Sequence, residues 1–179
     1  MLGLLSVTRA FVPRMRERGS GRIVNLSSVL GKFVLPGSGT YSATKFAVEA
    51  VSDALRMELA PFGVRVVLVE PGVVSTSLYG SAGTKLSGDD TTLADYRSNW
   101  TAGFGFPARL LKAGMRVEIV AAKITQAALT PNPKARYRLG ARNRFSTRLL
   151  TMLPAAVTDR IKRRIAGVSS KGAAGTRRA

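Results

Sequence analysis

Apolar positions change period several times along the chain. Leu4, Phe11, Val12 and Met15 recur at roughly helical spacing over residues 2–18. Pro13 within that run predicts a kink or a break. Gly19-Ser20-Gly21 reads as a loop, and Arg22-Ile23-Val24-Asn25-Leu26-Ser27 is a β-branched run that predicts a buried strand. Residues 28–40 are rich in Gly, Ser and Pro and read as a loop. From Tyr41 to Ala60 the pattern is helical, with Ala47, Val51, Ala54, Leu55 and Leu59 as the apolar stripe and Pro61 and Gly63 as stop signals. Val64 to Glu70 is nearly continuous in apolar residues, which predicts a strand covered on both faces. Pro71-Gly72 ends it. Residues 73–112 look irregular, 115–129 helical, Ala135–Leu139 strand-like, and 145–165 suited to one or two short basic helices.

Strand, helix, strand with these lengths is a βαβ crossover, so the sheet is parallel with helices on its faces. The expected strand order is 22–27, 64–70, 135–139. A chain of 179 residues, 45% hydrophobic and 21% charged, fits one compact domain with its own core.

Composition narrows the chemistry. There is no cysteine and no histidine. That excludes disulfide scaffolds, thiolate or imidazole metal sites, and catalytic triads built on histidine. Acid–base work falls to Tyr, Lys, Asp, Glu or Ser. The formal charge is +18, from 28 Lys and Arg against 10 Asp and Glu. It is concentrated late in the chain: residues 134–179 hold thirteen basic residues and one acid, Asp159. Such a tail attracts anionic lipid or nucleic acid, or is simply a solvated surface. No segment reaches the roughly 18 consecutive apolar residues of a membrane span. Residues 1–12 lack the basic start of a signal peptide, so the expected compartment is the cytoplasm.

Three features fall in order on the βαβ frame. Ser28 sits at the exit of the first strand. Tyr41 and Lys45, at i and i+4, share one face of the following helix. Pro71-Gly72-Val73-Val74-Ser75-Thr76 follows the second strand. Ligands of open parallel sheets bind outside these strand ends. A tyrosine hydroxyl titrates too high to serve as an acid–base group at neutral pH, and a neighbouring ammonium favours its ionised form. A serine hydroxyl beside them can hold a substrate oxygen. Taken singly, the Tyr–Lys pair is an ordinary exposed helix pair, Ser-Ser is turn chemistry and Pro-Gly is a turn. Their order on one frame is what points to a site.

These segments, Gly21-Arg22-Ile23-Val24-Asn25-Leu26-Ser27-Ser28, Tyr41-Ser42-Ala43-Thr44-Lys45 and Glu70-Pro71-Gly72-Val73-Val74-Ser75-Thr76, resemble the C-terminal part of a short-chain dehydrogenase/reductase. The resemblance implies a doubly wound, Rossmann-like parallel α/β sheet, here truncated to about three strands. It implies Tyr41 as general acid/base, Lys45 as its modulator and a ligand of the nicotinamide ribose, and Ser28 as the substrate-holding serine. The spacing of Ser28 to Tyr41 in the family selects Ser28 over Ser27. Pro71, Gly72, Val74 and Thr76 would contact the nicotinamide end of NAD or NADP, between which nothing in the chain discriminates. Substrates would be small alcohols or carbonyl compounds, and helices 2–18 and 41–60 would join copies into a homo-oligomer. No metal is implied. The family's TGxxxGxG turn, which cradles the pyrophosphate, is not in these residues. The expectation is therefore a truncated chain that binds dinucleotide weakly.

By this reading residues 1–140 form the dehydrogenase portion, with a substrate lid over 77–112. Residues 141–179 form a basic helical tail whose last ~12 residues are disordered. Tyr79, Tyr96, Trp100, Phe104 and Phe106 crowd the lid. They suit either an apolar substrate or simple packing of the lid on the core. Two other readings stand beside the oxidoreductase: an inactive remnant serving as an interaction subunit, and a basic protein binding nucleic acid or a membrane surface. No specific nucleic-acid motif is present, whereas peripheral membrane contact of the basic tail is compatible with its composition.

Overall fold

The structure, a computed structural model, describes residues 2–76, 114–166 and 168. The expected lid with its five aromatics, and the last residues of the tail, lie outside them. The elements in chain order are helix α1 (Leu2–Glu17), strand β1 (Gly21–Leu26), helix α2 (Gly39–Leu59), strand β2 (Val64–Glu70), helix α3 (Val117–Leu129), strand β3 (Arg136–Arg138), helix α4 (Ala141–Met152) and helix α5 (Ala155–Ala166). Short 3-10 turns at Val29–Gly31 and Ala60–Phe62 flank α2. Among the described residues no helix is long and apolar enough to cross a membrane.

The sheet has the expected order, β1-β2-β3, and is parallel throughout. β2 is central, and its continuous apolar run is buried on both faces. Val64 and Val66 join Leu59 on one face, under Val12 and Met15 of α1 and Leu55 of α2. Val67 and Val69 join Val120 and Ala127 of α3 and Leu139 on the other. Each fully buried Val or Leu among them contributes roughly 1.5–3 kcal/mol by leaving water. β1 is anchored to α3 as well. The Arg22 guanidinium donates to the carbonyls of Ala127, Ala128 and Pro131 at the C-terminal end of α3, where carbonyls lack helical partners.

Three expectations change. Pro13 does not break α1, which runs unbroken from Leu2 to Glu17. The proline removes one hydrogen bond, and the carbonyl it leaves without that donor belongs to Arg9, an exposed residue. Phe11 is not on the packed face but 62% exposed. The buried face of α2 is also rotated from the apolar stripe read in the sequence. It consists of Ser42, Val48, Glu49, Ser52 and Leu59.

That face is polar because its groups are paired. The Asn25 amide donates to Ser52 Oγ at 2.8 Å, and Ser52 donates on to the Val48 carbonyl. Glu49 accepts from Lys32 Nζ at 2.8 Å and from Arg136 at 3.2 Å. Arg136 also reaches Asp53, and its Nε stands 3.0 Å from Glu70 Oε1, a contact of charges without hydrogen-bond geometry. Arg138 closes the belt on Glu70. Burial holds the Glu70 carboxyl above the usual range, aided by Glu49 and opposed by Arg138 and Lys32. Burial pushes Asp53 the same way, but the bonds and charges of Arg136 and Arg56 outweigh it and hold Asp53 low.

Two predictions follow from these contacts. Gly63 has φ +68, and a Cβ there would lie 2.1 Å from the Gly19 carbonyl oxygen. Gly63→Ala should cost about 1–3 kcal/mol in urea unfolding. Gly39→Ala, where a Cβ meets nothing within 4 Å, should not destabilise. Asp53, depressed in the folded state, contributes stability that is present above its ordinary 3.8 and lost as pH falls through the folded value. Asp53→Asn should therefore melt below the wild type at neutral pH. The gap should close on acidification below that range, and a gap independent of pH would contradict the pairing.

Candidate functional site

The site lies where β1 and β2 end. The β1–β2 ladder continues past the strands: Ser27 N–H donates to the Val69 carbonyl at 2.9 Å, and Val29 N–H to the Pro71 carbonyl at 3.0 Å. Ser28 is held between these two bonds in extended backbone, φ −158 and ψ 161, and is buried. Its hydroxyl oxygen accepts from Leu30 N–H at 3.2 Å, capping the 3-10 turn. The hydroxyl proton and a second lone pair remain for a ligand.

The turn presses onto α2 through Gly31. A Cβ at Gly31 would lie 3.1 Å from the Lys45 carbonyl oxygen and 3.1 Å from Glu49 Cγ. The Lys32–Glu49 ion pair fixes the same junction. Residues after Ser28 are thus docked against the helix that carries Tyr41 and Lys45.

Tyr41 lies in the first turn of α2 and Lys45 one turn later. Lys45 Nζ donates to the Leu26 carbonyl at 3.0 Å, at the very end of β1. The same ammonium lies 5.7 Å from the centre of the Tyr41 ring, within cation–π range. Burial lowers the Lys45 pKa from the ordinary lysine value. An ammonium has three N–H donors, so two remain beyond the Leu26 bond for further acceptors. Tyr41 is 43% exposed, so its ring faces an open space.

Pro71 and Gly72 leave β2 beside Ser28, and the Pro71 carbonyl is already engaged with Val29. Val74 forms a parallel bridge with Met115 and packs against the core cluster of Val69 and Val120. Its side chain is half-buried against that cluster. Thr76 is exposed at the last described residue before position 77. The structure thus joins Lys45 to Tyr41 and to the end of β1, and Ser28 to the Pro71 segment. The sequence reading missed the residues that hold these parts together: Asn25, Gly31, Lys32, Glu49, Ser52, Arg136 and Arg138. Glu49 and Asp53 at i and i+4 on α2, with Arg136 and Arg138 alternating on one strand, was the signal available.

A cleft of about 640 Å³ lies between the segment leading into α2 and α5, lined by Val34, Leu35, Pro36 and Gly39 and by Asp159, Lys162 and Arg163; Ser28, Tyr41 and Lys45 are not part of its lining.

Comparison with known proteins gives concordant results. The family model for short chain dehydrogenase matches residues 1–86. The NADPH-dependent 3-dehydrocapnine reductase of Ornithobacterium rhinotracheale is 36% identical over 141 residues, covering 79% of this chain and 49% of that protein. A short-chain dehydrogenase structure from Streptomyces avermitilis superposes with a TM-score of 0.63 at 30% identity, covering 98% of this chain and 59% of the other. The closed form of a serine dehydrogenase complexed with NADP+ gives 0.58 at 27% identity, covering 76% and 50%. The chain spans about half the length of the curated relatives it matches. With the motifs in register, the parallel sheet in the expected order and these likenesses, the chain belongs to the short-chain dehydrogenase/reductase family.

Proposed function

We propose that this chain carries the catalytic part of an NAD(P)-dependent oxidoreductase that interconverts an alcohol and a ketone or aldehyde. The observation that carries this reading is the Lys45 ammonium, fixed on the Leu26 carbonyl and set beside the Tyr41 ring at the strand end where Ser28 is held. The two remaining Lys45 donors suit vicinal ribose hydroxyls, and the Pro71–Thr76 backbone runs alongside. These residues fit the nicotinamide end of a dinucleotide, as in the NADPH-dependent and NADP+-bound relatives. When bound, that group supplies or accepts the hydride.

The chain's own residues handle the oxygen and the proton. The Ser28 hydroxyl donates a hydrogen bond to the substrate oxygen, keeping its own proton, and fixes the position of that oxygen. Tyr41 gives a proton to that oxygen in reduction and takes it in oxidation. The Lys45 charge offsets the negative charge left on Tyr41. The Val34, Leu35 and Pro36 wall of the cleft favours an apolar substrate body. Helices α1 and α2 expose Leu5, Val7, Phe11, Phe46 and Met57, which supports a homo-oligomer joined through them.

The test joins this chain behind the glycine-rich half of a complete family member and follows reduced-nicotinamide absorbance with a panel of apolar alcohols and ketones. Tyr41→Phe should reduce turnover by about 10²–10⁴-fold while leaving the fold intact, because it removes only the proton donor. Ser28→Ala should cost roughly ten- to a hundredfold, the worth of one unmade hydrogen bond in the transition state. Lys45→Ala should lower turnover and weaken dinucleotide binding together. Unimpaired turnover in the Tyr41→Phe chimera would remove the mechanism. For assembly, Phe11→Ser with Phe46→Ser should shift the sedimentation of the chain to a smaller species. Unchanged sedimentation would place the contact elsewhere.

A further inference from the structure

The last two helices pack in an unusual sense. In α5, Val157, Ile161 and Ile165 recur at four-residue steps and form one stripe. A stripe of that kind normally faces the core. Here Val157 is 45% and Ile165 43% exposed with Ile161 half-buried between them, while the buried residues of α5 are the smaller Thr158 and Ala166. α4 repeats the pattern at its C-terminal end, with Leu149 45% and Met152 76% exposed beside exposed Arg148. Leu153 and Pro154 join the two helices, so both apolar patches lie on one helix–turn–helix segment.

Arginines border the stripe. Arg160 and Arg164, at i and i+4, run along its edge, with Arg163 beyond. Among the described residues none of Arg148, Arg160 and Arg164 is paired with a carboxylate. The single acid of the whole 134–179 segment, Asp159, is taken up by Lys162 on the flank of α5 that lines the cleft.

Three occupants can be weighed by chemistry. A second copy of the segment would bring two like-charged arginine rows together. A nucleic acid would satisfy the arginines but leave the apolar stripe in water. An anionic lipid surface satisfies both, because aliphatic side chains enter the headgroup–acyl boundary while guanidinium groups stay with the phosphates.

We propose that the α4–α5 segment docks this protein on an anionic membrane surface, through Leu149, Met152, Val157 and Ile165 with Arg148, Arg160 and Arg164. The docking is independent of the enzymatic reading. It also gives α5 two duties, since its other flank borders the cleft and would lie close to the lipid.

The experiment is co-sedimentation of the 179-residue protein with vesicles of phosphatidylcholine alone and of phosphatidylcholine mixed with phosphatidylglycerol, at low and high salt. Binding should be at least about tenfold stronger to the anionic vesicles and should weaken with salt. Arg160→Glu with Arg164→Glu should reduce it by roughly tenfold or more. Met152→Ser with Val157→Ser should reduce vesicle binding by about tenfold yet leave binding to duplex DNA unchanged, because only lipid rewards apolar insertion. All four positions are exposed, so the variants should keep the wild-type circular dichroism and melting. Lys171, Arg177 and Arg178 remain in every variant, which separates the α4–α5 segment from the rest of the tail. Equal binding to both vesicle types would overturn the proposal. So would serine variants that bind vesicles as well as the wild type, the result expected of a general polyanion surface. A loss of self-association in the serine variants with unchanged vesicle binding would assign the stripe to a second copy instead.

Discussion

The parallel ladder between β1 and β2 does not stop where the strands do. Two further bonds, from Ser27 to Val69 and from Val29 to Pro71, carry it to the point where ligands of open sheets bind. Every other part of the site is referred to that extension. Ser28 is held because its two neighbours are bonded. The Pro71–Gly72 exit is fixed because its carbonyl is taken. Lys45 is placed because the acceptor it finds, the Leu26 carbonyl, terminates the same strand. A slip of one residue between β1 and β2 would turn each of these groups to the opposite face. The double burial of β2 opposes such a slip, since Val64 and Val66 would exchange faces with Val67 and Val69.

Helix α2 is locked against this ladder in one rotation, which keeps Tyr41 and Lys45 together on the face toward the end of β1. A purely apolar stripe tolerates small rotations and slides. The face actually used does not. Asn25–Ser52 admits one partner at one distance, and Glu49 is bound between Lys32 of the turn and Arg136 of β3. Removing either partner of such a pair leaves a buried group unsatisfied, which costs more than the pair contributes. The polar face therefore trades some packing energy for a defined pose of the helix.

That trade explains what was legible in the sequence and what was not. β2 was read with its observed limits, Val64–Glu70, because consecutive burial on both faces leaves a run that admits few alternatives. β1 was displaced by one residue and β3 was shorter than expected, as befits strands with weaker patterns at the sheet's sides. The fold class and strand order follow from the βαβ spacing together with the family resemblance, and Ser28, Tyr41, Lys45 and Pro71 are singled out by their order along the chain. The packing of α2 was misread because hydrophobic periodicity has no means of seeing a buried Ser, Glu or Ser–Asn pair; their burial is decided by partners far away in sequence. Phe11 was misread for the converse reason, since a large apolar residue at helical spacing is indistinguishable in sequence from a core residue.

The same logic separates the two ends of the chain's chemistry. At the strand ends, charged groups are geometrically fixed: half-buried Lys45 on a carbonyl, and fully buried Glu49 and Glu70 on cations. On α5 the arginines beside the apolar stripe meet no carboxylate among the described residues. Charge that is compensated internally orients groups; charge that is left uncompensated beside exposed aliphatic surface acts on something outside the molecule. One flank of the same helix borders the cleft against Val34, Leu35 and Pro36 and the other presents that surface, so a single rigid element carries both.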